Sequence, residues 1–149
     1  MRRLLFPLLV VFCLMATSQP GTKAGDDQKN PLQGVWIAQS MVSDGKAAPA
    51  EAVKRMRFTF KGDKLLVKGN FDDDREEECT FKADSKQSPN HLEFTPPKQQ
   101  KPILGIYEVK KDELRICLRH EGSAEGRPTE FATTVNSKLI LIVFKKQKE

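Results

Sequence analysis

The sequence predicts an all-β fold: a small antiparallel up-and-down barrel of about eight strands with one short helix. Three observations carry this. Apolar and polar residues alternate at a period of two, most clearly where Met56, Phe58 and Phe60 are set against Arg55, Arg57, Thr59 and Lys61. The short runs follow one another through turn residues such as Asp44-Gly45, Gly62-Asp63 and Lys110-Lys111-Asp112. Only Ala47 to Lys54, with Pro49 near its first turn, reads as helix. Such a meander makes either a barrel or a sandwich, and the barrel is favoured because closure leaves no exposed strand edge.

The 149 residues divide into three parts. Residues 1–18 read as a secretory signal peptide: Arg2 and Arg3 precede an apolar run from Leu4 to Met15, and Ala16-Thr17-Ser18 gives a small-x-small exit. That run is too short for a stable membrane span, which needs about 20 apolar residues, and Pro7 interrupts it. Cys13 raises a lipoprotein alternative, but it follows the large Phe12 rather than a small residue. Residues 19–31, rich in Gly, Lys, Asp and Gln, form a flexible spacer. Residues 32–146 form the barrel domain.

Gly34 to Val42 makes the first strand, and Arg55 to Lys61 the next after the helix. Leu65 and Val67 carry a short strand, and residues 69–74 form a loop. Cys79 and Phe81 share the inner face of the following run. Leu92 and Phe94 lie on a strand stopped by Pro96 and Pro97. Ile103 to Val109 turns into Leu114, Ile116 and Leu118. Residues 129–134 and 139–144 complete nine candidate strands. The last is apolar on both faces, so its outer face needs a cover, from the helix or from a second copy of the chain.

Loss of the signal peptide lowers the net charge from +5 to +3, because it removes Arg2 and Arg3 and no acidic residue. A mild excess of this kind does not point to nucleic acid, which needs a clustered basic face. Lys145-Lys146-Gln147-Lys148 reads as a solvated terminus. Cys79 is expected to point inward and Cys117, between Arg115 and Arg119, outward. Their strands are three apart in a meander, or roughly 14 Å at about 4.8 Å per strand, beyond the ~7 Å limit for a disulfide. Two free thiols are therefore expected.

Gly34-Val35-Trp36 supplies a Gly-x-Trp opening in which a large flat side chain can seal a barrel base. It is followed in order by Asp44-Gly45-Lys46, Phe60-Lys61-Gly62-Asp63, Leu104-Gly105-Ile106-Tyr107-Glu108, Leu114-Arg115-Ile116-Cys117 and Arg127-Pro128-Thr129-Glu130-Phe131. In combination these segments resemble a family of uncharacterised secreted bacterial proteins with a lipocalin-like domain. The resemblance covers roughly Leu32 to Lys145. It implies a barrel and an exported location, in the periplasm, the cell envelope or outside the cell, and brings no catalytic residues with it. Cys79, where a small residue such as Gly is expected, and the acidic run departing from Phe71 differ from the family pattern.

No nucleophile elbow, phosphate loop or dinucleotide fingerprint is present. Asp72 to Glu78 holds six carboxylates in seven residues, but lacks the spacing of a calcium loop and reads as a solvated hairpin tip. His91 and His120 have no neighbours at metal-ligand spacing. No cofactor is expected. The candidate ligand-binding residues are the inward-facing Trp36, Phe58, Phe60, Phe81, Phe94, Tyr107 and Ile116, and Arg127 with Glu130 forms a candidate rim. The bland reading of that rim segment makes Phe131 a core anchor and Arg127 with Glu130 a local ion bridge.

The leading expectation is a non-enzymatic exported domain that binds a small hydrophobic ligand inside the barrel. The alternative is a filled barrel acting on a protein partner through its surface, as an inhibitor or envelope interaction module. An enzyme ranks third, and convergence of Arg127 or a histidine with other polar groups in a cleft would favour it.

Overall fold

In the computed structural model, the described residues are 30–70, 73–120 and 125–148. The expected signal peptide and nearly all of the spacer lie outside them. Eight antiparallel strands close into a barrel: β1 (Gly34–Ser43), β3 (Arg57–Lys61), β4 (Lys64–Asn70), β5 (Asp73–Asp84), β6 (Asn90–Thr95), β7 (Ile103–Lys110), β8 (Glu113–Arg119) and β9 (Leu139–Lys146). Each pairs with the next, and β9 returns to β1. A two-residue strand, β2 (Lys46–Ala47), adds to β1 alone, and α1 (Ala50–Arg55) connects it to β3.

The alternation that suggested strands also sets their inner faces. Phe58 and Phe60 of β3, Leu65 of β4, Phe81 of β5, Leu92 and Phe94 of β6, and Leu114, Ile116 and Leu118 of β8 all join one core. Strand β1 breaks its own period: Trp36, Ala38 and Met41 are all buried. A bulge between Ala38 and Ser40 inserts Gln39 and resets the pleat, so that Met41 turns inward. Both ends of the core are covered. At one, a turn at residues 30–33 buries Leu32 completely, and Trp36 Nε1 donates to its carbonyl at 2.7 Å. The Gln33 amide brackets the β3–β4 turn, donating to the Gly62 carbonyl at 3.0 Å and accepting from its N–H at 2.9 Å. At the other end α1 packs between β1 and β4 and adds Val53 and Met56 to the core. Gly69 makes this fit possible: at φ +81, a Cβ there would strike the Arg55 carbonyl.

Three expectations need correction. Residues 129–134 form no strand, because β8 pairs directly with β9 and leaves no free edge for them. They belong to an irregular strap that crosses the outside of the barrel. Asp72 lies outside the described residues, and from Asp73 onward the acidic run belongs to β5 rather than to a hairpin tip, with Glu76, Glu77 and Glu78 opposite Lys68, Val67 and Leu66 of β4. Finally, α1 covers a barrel end rather than the outer face of β8 and β9. The strap lies instead on the outer wall of β7 and β8, where the outward-facing Ile106 and Cys117 are buried.

Candidate functional site

Of the expected ligand-binding residues, Trp36, Phe58, Phe60, Phe81, Phe94, Tyr107 and Ile116 all lie within the barrel and belong to its core. Four of them, Phe58, Phe60, Phe81 and Phe94, form ring contacts that Phe144 joins. Phe58 touches Phe144 at a centroid distance of 4.7 Å, Phe94 at 6.3 Å and Phe60 at 6.4 Å, and Phe60 meets Phe81 edge-on at 5.0 Å. Edge-to-face and tilted contacts in this range are attractive, so the five rings hold one another in place. Trp36 is wholly buried, and the Lys146 ammonium lies 5.4 Å from its ring centre. Tyr107 is buried beside β8, and burial, reinforced by the Asp84 carboxylate, raises the pKa of its phenol.

Arg127 sits on the outer wall, where its Nη1 donates to the carbonyls of Leu92 and Gly105 at 2.7 and 2.6 Å. These carbonyls belong to residues that face each other across β6 and β7. Nη2 reaches Glu93 Oε2 at 3.3 Å. The ion pair of Arg127 is thus with Glu93, and Glu130 is exposed on the strap. Phe131 is not a core anchor: it stacks outside on the Arg115 guanidinium at 4.9 Å. Strand parity could not find these partners, since it assumed a strand where the chain crosses the wall.

Two polar groupings deserve a chemical test. Arg127, His91, Glu93, Asp84 and Lys82 surround a shallow cavity of about 250 Å³ on the outer faces of β5 and β6. Its arginine and two carboxylates are already engaged. Arg127 holds two carbonyls and Glu93, while Asp84 accepts from the Lys86 N–H at 2.9 Å and from Gln87 at 3.1 Å. Those hydrogen bonds lower the pKa of Asp84, which suits a turn lock rather than a proton carrier.

Ser43, His120 and Asp44 form the second grouping. Ser43 Oγ lies 3.0 Å from His120 Nε2, but Asp44 Oδ2 approaches that same nitrogen at 3.7 Å. A relay needs the carboxylate on the opposite ring nitrogen, where it orients the base toward the hydroxyl. Asp44 instead accepts from the Lys138 N–H at 2.6 Å, and Gly45 N–H donates to Thr133 at 3.2 Å. The group fastens the strap to the β1–β2 turn.

The cysteines match expectation: Cys79 is in the core, Cys117 faces the outer wall, and both are free thiols. Burial, aided by Glu77 and Glu78, pushes the Cys79 thiol up to about 11. Burial also raises Cys117, which donates to the Ala132 carbonyl at 4.0 Å. Neither is poised as a nucleophile. Comparison of the chain with protein-family models, with curated proteins and with solved structures finds no match.

Proposed function

We propose that the chain is an exported, lipocalin-like barrel whose interior is structural and whose outer wall does the binding, as an interaction or inhibitor module of the envelope or its surroundings. The observation that carries this reading is the ring contact of Phe58, Phe60, Phe81, Phe94 and Phe144 along the interior. A container for an apolar ligand needs its aromatic side chains apart, lining a space of about 300 Å³ or more. Here they occupy the space themselves. Two cavities bounded by described residues, of about 400 and 250 Å³, lie on the outer wall. The signal-like amino terminus supports export, and the resemblance drawn from Gly34-Val35-Trp36 onward supports the family assignment.

Native mass spectrometry of protein purified from an export-competent host, without detergent, tests the reading together with titration of the neutral apolar probe N-phenylnaphthylamine. The expected result is the bare mass of the processed chain and no saturable uptake of the probe. A co-purified apolar molecule, or one-to-one probe binding lost on Phe58→Trp, would return the function to the interior.

A further inference from the structure

Arginines on most of the outer wall are matched by carboxylates. Arg115 bonds to Glu108, Arg119 Nη1 lies 2.5 Å from Glu125, and Arg127 lies 3.3 Å from Glu93. Arg55 and Arg57 form no ion pair with any described carboxylate, and neither does Lys68. All three line one groove of about 400 Å³, between α1 and the wall made by β1, β3 and β4.

Strand register builds this convergence. Ile37 stands opposite Arg57, and Arg57 opposite Lys68. These side chains face outward because their neighbours Trp36, Phe58 and Val67 face the core. On the far side Lys145 stands opposite Ile37, so a row of Lys145, Ile37, Arg57 and Lys68 crosses four strands, with Glu113 opposite Lys145 and Glu76 opposite Lys68 at its two ends. Arg55 arrives from the last turn of α1, held against the wall where Gly69 leaves room for its backbone. Lys54 also lines the groove but is tied to Glu51 at 3.5 Å. Asp74 is the single carboxylate among the lining residues.

Like charges gathered in a concavity repel one another and are screened less than on an open surface. An anion entering the groove relieves that repulsion. Guanidinium groups present paired N–H donors that match two oxygens of a phosphate or sulfate group, and the lysines add point charge. Ile37 supplies an apolar floor for the body of an organic anion. The volume is in the range of small-molecule sites, roughly 300–1,000 Å³.

We propose that this groove binds a small, multiply charged oxyanion bearing phosphate or sulfate groups, held by Arg55, Arg57 and Lys68. The proposal rests on the outer wall being the working surface and gives that surface a ligand chemistry.

The test is calorimetric titration of the exported protein with tripolyphosphate at low ionic strength, repeated with added salt. One-to-one binding that weakens with salt is expected. The double variant Arg57→Gln/Lys68→Gln should weaken it at least ten-fold, with the circular dichroism spectrum and Tm unchanged. Lys86→Gln/Lys98→Gln, which removes equal charge from exposed sites away from the groove, should leave it within two-fold. Asp74→Asn should tighten it. Absence of binding at millimolar tripolyphosphate, or equal losses in the two double variants, overturns the proposal. If the protein also carries a bare mass and ignores the neutral probe, only the groove assignment falls and the outer-wall reading stands. Co-sedimentation with phosphatidylglycerol vesicles, abolished by Arg57→Gln/Lys68→Gln, would place the phosphate on a lipid headgroup; tripolyphosphate binding without co-sedimentation would place it on a soluble ligand.

Discussion

Ile106 and Cys117 face each other across β7 and β8 on the outside of the barrel, and neither exposes any surface. An outward position is ordinarily wet, so their burial measures how closely the strap lies on the wall. Arg127, with its two carbonyls and Glu93, is the strongest visible fastening near them.

Arg127→Ala should therefore loosen the strap without opening the barrel. Loss of its charged hydrogen bonds should cost about 1.5–3 kcal/mol in urea unfolding. Cys117 should then react with a disulfide reagent at least ten-fold faster at pH 8, while Cys79 stays protected. Peptide mapping of the labelled sites reads the difference. Equal protection of Cys117 in variant and parent would show that Phe131 and the Asp44 clasp hold the strap alone.

Phe58 contacts three other phenylalanines, so its removal tests whether the interior is filled. Phe58→Ala should destabilise the fold by about 3–5 kcal/mol, the usual cost of deleting a packed aromatic. If the space left stays open, it should admit a small aromatic such as benzene, seen as a rise in Tm with added benzene that the parent lacks. A loss under about 1 kcal/mol would mean the ring lines an existing void.

The Cys79 thiol gives the fold an alkaline weakness. Unfolded, it ionises near its ordinary value of 9.0; folded, it keeps its proton up to about 11. Between these values the unfolded chain binds fewer protons, so stability falls as pH rises, by about 2 kcal/mol across the window. Cys79→Ala should remove that part of the decline between pH 8 and pH 10.5. The remaining slope should include Tyr107, whose raised pKa acts in the same direction. Parallel pH profiles for parent and variant would remove Cys79 as the cause.

The inner faces were legible in the sequence wherever a strand keeps its period, as at Phe58 and Phe60 or Leu114 and Ile116. They were less legible where the backbone changes parity, because Gln39 carries no mark of a bulge. The strap was misread for a related reason: Thr129 to Thr134 is rich in β-forming Thr and Phe, but sheet membership depends on a free edge, and β9 had taken it. The basic groove is a product of pairing. Arg57 and Lys68 lie at the two ends of the β3–β4 hairpin and become neighbours only through its register, which also sets them beside Ile37. Net charge, a sum over the whole surface, conceals such a cluster.

Closure through β1 and β9 brings the two ends of the domain together, with the Gln147 N–H donating to the Val35 carbonyl at 2.8 Å. Every other strand contact joins neighbours along the chain and can form as soon as both strands are available. The ring cannot close until residues 139–146 have emerged. A chain released stepwise from its amino end spends that interval as an open sheet with two sticky margins, β1 and β8. Unpaired margins of this kind template pairing with other chains, so the wait for β9 is the step at which the protein is exposed to aggregation.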